Sequence, residues 1–305
     1  MAKKKPGNLK KGSGPKLGQA PKAAGKPPWP RLPAVLAPPK DEFLGWLGLA
    51  GIVALSFLMS FHTLVDTDIF WHLRTGQIIW DTHRVPQKDL FSFTMAGKEW
   101  IDAQWLFQAI LYPLYRSAGY TGIILFGSVL TALTWILILA PGFNPRKYFS
   151  VILIGLIALL SLSERLRLRP EILTFFYIAL EIYLLDRFRR GKKYALYPLP
   201  LLLLLWVNSE GLWPVGFFIL GAFLGEEILF LPALKLGKYF PRTAPAPARG
   251  AAARLLICLL IGMALTLVNP YGVRGALFPT RRPSPKRRQR ISRSRRARGP
   301  PSGPS

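Results

Sequence analysis

The sequence predicts an all-α, polytopic integral membrane protein with about seven transmembrane helices and an outer first loop that contains interfacial helices. Half of the 305 residues are apolar. Mean hydropathy is positive, at +0.26, although both ends of the chain are strongly polar. Apolar runs recur at about the 20-residue length that a helix needs to cross a bilayer. This recurrence favours a bundle of membrane helices over a soluble core.

Seven apolar runs are the predicted spans, at residues 44–65, 121–140, 148–163, 171–186, 195–208, 212–231 and 251–268. The first run is too long and too far from the N-terminus for a secretory signal, and no small-residue cleavage site follows it. It is therefore predicted to be a retained anchor. The third, fourth and fifth runs are short, which is acceptable where helices line a cavity or the bilayer thins locally.

A further apolar stretch, residues 104–119, is interpreted as an interfacial helix rather than a span. Trp105, Tyr112 and Tyr115 suit the level of the lipid headgroups, and Pro113 would kink a span. If this stretch does cross the membrane, every later segment changes sides.

The distribution of Lys and Arg among the loops predicts the orientation in the membrane. With a cytoplasmic N-terminus, three loops whose cations have no acids among them fall on the cytoplasmic side. Their cations are Arg146, Lys147, Arg187, Arg189, Arg190, Lys192, Lys193, Lys235, Lys238, Arg242 and Arg249. The first loop, residues 66–120, then lies outside with residues 163–171, 208–211 and 269–272. The prediction is a multi-pass protein of the cytoplasmic (inner) membrane.

Charge divides the chain into a disordered basic tail at residues 1–40, a transmembrane domain at 41–279 and a second disordered basic tail at 280–305. The net charge is +26, but each tail holds ten Lys or Arg and no acid, which leaves +6 on the domain. The C-terminal tail is arginine-rich like RNA-binding segments, yet the topology places it outside, so no nucleic-acid partner is expected. The abrupt change of composition after Pro279 is interpreted as a truncation or a shifted reading frame of a longer gene.

Polar residues gather in the first outer loop, immediately after the first predicted span. Asp66, Asp68 and His72 follow that span, and Asp68 and His72 are four residues apart, which places them on one face of a helix. The plain alternative is a solvated loop whose charges face water. Against it, the loop is rich in Phe and Trp, which are typical of a segment held at the membrane surface. Polar groups at that boundary are candidates for function.

Several short motifs occur in this region and beyond it. DTD and WHLRTG lie at 66–76, VP and FSFT at 85–94, WLF at 105–107, RPE at 169–171, WVN at 206–208 and NPYG at 269–272. Together they resemble the GT-C-type polytopic membrane glycosyltransferases of bacteria, which use polyprenyl-phosphate-linked sugars. The resemblance implies sugar transfer at the outer face of the membrane, with Asp66 as the catalytic base by position and Asp68 as the second candidate.

The chemistry of that reaction assigns further candidates. A base must take a proton from the acceptor hydroxyl, and cations must hold the leaving phosphate. The predicted catalytic residues are Asp66, Asp68 and His72, and the predicted substrate-binding residues are Arg74, Arg165, Arg167, Arg169, Glu171, Asn208 and Glu210. In an extended segment the side chains of Arg165, Arg167 and Arg169 would lie on the same face. In a helix only Arg165 and Arg169 would do so. Alternatively, these arginines extend to lipid headgroups or pair with neighbouring glutamates.

Cofactors and partners are less determined. His72 could ligate a divalent cation together with Asp66 and Asp68, or it could be a hydrogen-bonded histidine, so the metal is unknown and the sequence requires no cofactor. The expected partners are membrane lipid and a polyprenyl-phosphate sugar donor, and the oligomeric state is not predicted. The alternative function is a non-catalytic membrane protein, either a truncated or degenerate relative or a small transporter.

Overall fold

The computed structural model describes residues 42–62, 66–146, 148–229 and 250–277. Within these ranges every regular element is helical, which confirms the all-α prediction. The α-helices are α1 (Glu42–Ser60), α2 (Asp68–Thr82), α3 (Trp105–Leu139), α4 (Phe149–Ser161), α5 (Glu171–Arg189), α6 (Leu199–Ser209), α7 (Pro214–Leu229), α8 (Ala251–Leu265) and α9 (Val273–Ala276). Both predicted tails, residues 1–40 and 280–305, lie outside the described residues.

Two of the described helices, α1 and α3, are long and apolar enough to cross a membrane. The helices α4 and α8 are apolar but shorter. Membrane helices are therefore supported at two positions, and the arrangement of seven spans stays a prediction.

The helix α3 joins the predicted interfacial segment and the second predicted span into one element with a break in its backbone. Ala118 and Gly119 leave helical geometry, and Gly119 has φ of 61°. Only glycine adopts such a conformation without strain. Pro113 lies within the first half of the helix, yet the break occurs at Ala118 and Gly119. Residues 105–117 are thus a separate half of α3. The break at Ala118 and Gly119 coincides with the C-terminal end of the predicted interfacial segment, residues 104–119.

The largest core cluster lies where α3, α5, α6 and α8 pack together. Trp206, Phe107 and Leu185 are fully buried within it. A smaller cluster joins α1, α3 and α4 around Ile52, Trp135 and Leu159. The two clusters share α3 as a common wall, so α3 is the central helix of the described bundle.

Large apolar side chains also cover outward-facing surface. On α4, Ile154 is 66% exposed, and on α7 Phe218 is 77% exposed. The helix α8 presents a similar apolar face. Soluble monomers rarely expose continuous apolar surface on this scale, so these faces fit a lipid environment.

The loop between α2 and α3 is held by its own hydrogen bonds and by contacts from the end of the chain. Residues 87–89 pair with residues 98–100, with a 2.9 Å hydrogen bond from Trp100 N to the Gln87 carbonyl. A hydrogen bond from the Ser92 side chain, together with those from the backbone N–H groups of Ser92 and Phe91, lowers the pKa of the Asp89 carboxyl. The guanidinium of Arg274 contacts the Glu99 carboxylate at 3.0 Å. The loop therefore has hydrogen bonds of its own and an ion pair to Arg274, while most of its side chains between residues 88 and 99 are exposed.

The helix α2 lies directly against the first half of α3. A Cβ atom at Gly76 would clash with the carbonyl oxygen of Gln108 and would lie 2.9 Å from the Cβ of Tyr112. Glycine at this position therefore permits a close approach that any larger residue would prevent. The contact fixes α2, and with it the aspartates at its N-terminal end, relative to α3.

We expect Gly76→Ala to destabilise the protein by about 1–3 kcal/mol because the new methyl group overpacks the contact between α2 and α3. The matched control is Gly51→Ala on α1, where a Cβ meets no atom within 4 Å. That change should be neutral or slightly stabilising because alanine has the higher helix propensity. Thermal unfolding in detergent measures both variants, and equal midpoints for the two would contradict the close-contact interpretation.

Candidate active site

A small polar cavity lies between the N-terminal end of α2 and the segment that leads into α5. Its volume is about 110 Å³. It brings together five predicted site residues from two distant parts of the sequence. They are Asp66, Asp68, His72, Arg169 and Glu171. Ile69, Trp71, Gln104, Leu168 and Pro170 complete the lining.

An ion pair between Asp66 and Arg169 closes one wall of the cavity. Oδ2 of Asp66 contacts Nε of Arg169, and Oδ1 accepts a 3.1 Å hydrogen bond from the backbone N–H of Asp68. The Asp66 side chain is only 11% exposed, so the pair is shielded on the carboxylate side. Beside it, Oε2 of Glu171 is buried and has no hydrogen-bond partner among the described residues. The cavity thus holds two carboxylates and one guanidinium in close proximity.

His72 is buried one turn further along α2. Its Nδ1 lies 3.3 Å from Nε2 of Gln108. Burial lowers the pKa of His72 to about 4, and the nearby charge of Asp66 only partly opposes the shift. The imidazole is therefore neutral at physiological pH.

Gln108 links His72 to a second buried carboxyl group. Its Nε2 also donates a 3.1 Å hydrogen bond to Oδ1 of Asp102. An amide group has two protons, so one serves Asp102 and the other serves His72. Nδ1 of His72 is then the acceptor, and the proton of the neutral ring resides on Nε2.

Asp102 is 2% exposed and has its own supporting hydrogen bonds. Oδ1 accepts from the backbone N–H of Gln104 at 3.1 Å. Burial nevertheless raises the pKa of Asp102 to about 6, and the hydrogen bonds only partly offset that effect. Desolvation is thus the dominant influence on this carboxyl group.

Tyr271 connects this network to the last described part of the chain. Its hydroxyl accepts a 3.0 Å hydrogen bond from the backbone N–H of Asp102 and donates a 2.8 Å hydrogen bond to the carbonyl of Pro86. Burial raises the pKa of Tyr271 to about 12, so the phenol stays protonated. Asn269 in turn accepts from the backbone N–H of Tyr271 at 2.8 Å. The NPYG motif therefore holds the loop that carries Asp102.

A larger groove adjoins the cavity on the other side of Arg169 and Glu171, which line both spaces. Its volume is about 570 Å³, and all three predicted arginines line it.

Residues 163–165 form a 3₁₀ turn, and residues 167–169 follow as bends, so the segment is neither extended nor a continuous helix. Arg167 pairs with Glu164 at 2.6 Å. Arg167 thus forms the ion pair with a neighbouring glutamate that was predicted as the alternative to phosphate binding.

The arginine groove continues into an apolar groove between α3 and α5. Leu162, Arg165, Ile172 and Phe175 line both spaces. The apolar groove has a volume of about 320 Å³, and its remaining walls are almost entirely apolar side chains of α3 and α5. Polar cavity, arginine groove and apolar groove are therefore adjacent, and each shares lining residues with the next.

Three predicted binding residues lie elsewhere. Arg74 is exposed on α2 and donates a 2.8 Å hydrogen bond to Gln77. Asn208 accepts from Nε1 of Trp105 and donates to the carbonyl of Val268, which ties α6 to α3 and to the end of α8. Glu210 accepts from the hydroxyl of Thr174 and from a backbone N–H. Asn208 and Glu210 thus have structural partners, and none of the three lines the cavity.

Metal ligation is not supported by the described residues. Within them, no group of three or more His, Cys, Asp or Glu side chains is placed so that it could hold a metal ion. Asp66, Asp68 and His72 line the same cavity without forming such a group.

Sequence reasoning did not include Asp102, Gln108 and Tyr271 among the site residues. Two signals were present, since Asp102 lies in the acid-bearing loop between α2 and α3 and Tyr271 belongs to the NPYG motif. Gln108 carried no signal, because a single glutamine in an apolar helix has many ordinary explanations.

Compared with protein-family models, curated proteins and solved structures, the chain gives no match.

The raised pKa of Asp102 predicts a pH-dependent effect of Asp102→Asn. Because the folded pKa of about 6 exceeds the ordinary value of 3.8, the wild-type carboxyl contributes fully to stability below about pH 4 and loses that contribution as pH rises through 6. The shift corresponds to roughly 3 kcal/mol. We expect the unfolding midpoint of Asp102→Asn, relative to wild type, to rise between about pH 4 and pH 6 in detergent and to change little above about pH 7. A difference that is independent of pH would contradict the buried-carboxyl account.

Proposed function

We propose that the protein is a membrane glycosyltransferase that transfers a sugar from a polyprenyl-phosphate donor at the outer face of the cytoplasmic membrane. The observation that carries the proposal is the adjacency of polar cavity, arginine groove and apolar groove, each of which shares lining residues with the next. A polyprenyl-phosphate sugar has the same three parts in the same order. The sugar would occupy the polar cavity, the phosphate the arginine groove and the first isoprene units the apolar groove.

Three arginines, against two glutamates (Glu164 and Glu171) in the same lining, support the position of the phosphate. Arg165, Arg167 and Arg169 line the groove at the junction between the polar and apolar spaces. Arg165 also lines the apolar groove, so it is the cation nearest to the lipid end of a bound donor. Guanidinium groups suit phosphate oxygens because they donate several hydrogen bonds in a fixed geometry.

The proposed reaction is a displacement at the anomeric carbon. A hydroxyl oxygen of the acceptor forms a bond to that carbon, the bond from the carbon to the phosphate oxygen breaks, and polyprenyl phosphate leaves with the electron pair. The acceptor proton passes to Asp66, which acts as the general base, and the arginines stabilise the leaving phosphate.

The ion pair between Asp66 and Arg169 suggests how the donor prepares the site. A donor phosphate in the arginine groove competes with Asp66 for the guanidinium of Arg169. Release of the Asp66 carboxylate from that pair would leave it available for the acceptor proton. Asp68 lines the same cavity and serves as a partner, and neutral His72 orients groups in the cavity through its link to Gln108.

A small transporter is the second candidate, and one observation favours it. Glu181 of α5 is fully buried, and neither of its carboxylate oxygens has a hydrogen-bond partner among the described residues. Isolated acids within membrane helices often mark pathways for protons or ions. A transporter would move its substrate without consuming a donor, whereas the enzyme converts polyprenyl-phosphate sugar to polyprenyl phosphate.

The enzyme proposal includes a multi-pass topology with a cytoplasmic N-terminus. Single cysteines placed near Gly97 and near Gly191, in a background without Cys258, should react from opposite sides of intact inner-membrane vesicles, because the basic loops favour the cytoplasmic side. A membrane-impermeant maleimide measures the accessibility of each cysteine. Labelling of both positions from one side would contradict the alternating topology and the outer location of the cavity.

Asp66→Asn tests the proposed base. We expect turnover of a panel of polyprenyl-phosphate sugars by the purified protein to fall by roughly 10²–10⁴-fold, because the amide cannot accept the acceptor proton. Asp81→Asn is the matched control, since Asp81 is exposed at the far end of α2 and does not line the cavity.

Equal turnover by Asp66→Asn and wild type, combined with loss in Asp68→Asn, would transfer the base role to Asp68. If both aspartate variants retain normal turnover, the catalytic interpretation of the cavity is wrong. If wild-type protein consumes no donor but accumulates a substrate in vesicles, the transporter is the better description.

A further inference from the structure

A second groove lies at the opposite end of α5 from the polar cavity. It is formed by the 3₁₀ turn at Lys193–Leu196, the start of α6 and the outer face of α8, and its volume is about 520 Å³. The 19-residue helix α5 begins at Glu171 in the cavity and ends at Arg189 near this turn. At 1.5 Å per residue that separation is about 27 Å, close to the thickness of a bilayer's hydrocarbon core. The two spaces are therefore suited to opposite leaflets.

The polar lining of this groove is basic. Arg254 of α8 and Lys193 of the turn both line it, and no acidic side chain is part of its described lining. Nη1 of Arg254 is buried and has no hydrogen-bond partner among the described residues. A buried, unpartnered guanidinium nitrogen is unfavourable unless an acceptor meets it. The groove therefore offers an unfilled position for an anionic oxygen.

The rest of the groove is apolar and directed along α8. Ile257 and Ile261 follow Arg254 by three and seven residues, so they lie on the same face of the helix. They are 55% and 47% exposed, respectively. The stripe extends about 10 Å from Arg254. Tyr197, at 79% exposure, stands at the cationic end, as is typical of tyrosine at a membrane surface.

We propose that this groove binds an anionic phospholipid, with the headgroup phosphate at Arg254 and Lys193 and an acyl chain along Ile257 and Ile261. A cation at one end of an exposed apolar stripe matches the two parts of such a lipid. A free phosphate ion would satisfy Arg254 but would leave the stripe uncovered. The proposal goes beyond the transferase function and does not depend on it, since it needs only that the protein resides in a bilayer.

Native mass spectrometry of the purified full chain tests the proposal. The protein is released from nanodiscs of phosphatidylcholine that contain a minor fraction of phosphatidylglycerol. We expect wild type to retain one phosphatidylglycerol, and Arg254→Gln to reduce the retained fraction by about five- to tenfold. Arg187→Gln is the matched control, because Arg187 lies at the same end of the bundle, over the ring of Tyr183 at 5.9 Å, and does not line the groove. Its retention should equal that of wild type.

Two further measurements keep the result decisive. Lys193→Gln, at an exposed position, should also reduce retention several-fold, which provides a test if Arg254→Gln fails to fold. Glycerol phosphate, which has the headgroup chemistry without acyl chains, should not displace the lipid at millimolar concentration. Retention by Arg254→Gln and Lys193→Gln equal to wild type overturns the proposal. Full displacement by glycerol phosphate also overturns it, because the site would then bind a free phosphate group and not a lipid.

Discussion

The close approach of α2 to the first half of α3 is the contact on which the candidate site depends. Gly76 faces the carbonyl of Gln108, and the absence of a side chain at residue 76 lets the two helices meet there. One turn earlier on α2, His72 then reaches the side chain of Gln108, and Gln108 reaches Asp102. A wider separation would break the contact between His72 and Gln108 and leave Nδ1 of the buried imidazole without its partner, whereas the hydrogen bonds of Asp102 to Gln108 and Gln104 do not involve α2.

The sequence predicted the helical class and much of the cavity because both follow from local patterns. Hydrophobic runs of the right length gave the helices, and a four-residue spacing placed Asp68 and His72 on one face of α2. The approach of Arg169 to this face came from the expectation that alternate loops share one side of a membrane. Each of these inferences uses only the order of the residues along the chain and the spacing between them.

The remaining parts depend on contacts between distant residues, which a single sequence does not specify. Tyr271 meets Asp102 across 169 residues, and Trp105 meets Asn208 across 103. Asn208 and Glu210 had the polarity expected of binding groups, yet their hydrogen-bonding capacity is used within the fold. Polarity in a sequence indicates that a group needs a partner, and only tertiary structure shows whether that partner is the protein or a ligand.

The position of Tyr271 in the chain also has a consequence for biosynthesis. The ribosome delivers α1, α2 and α3 first, and the phenol that holds Asp102 and Pro86 emerges more than 160 residues after Asp102. Until then, the loop between α2 and α3 lacks two of its hydrogen bonds. Complete hydrogen bonding of that loop is therefore a late event in synthesis. Nascent chains halted before residue 271 would carry Asp102 and Pro86 without the phenol that joins them.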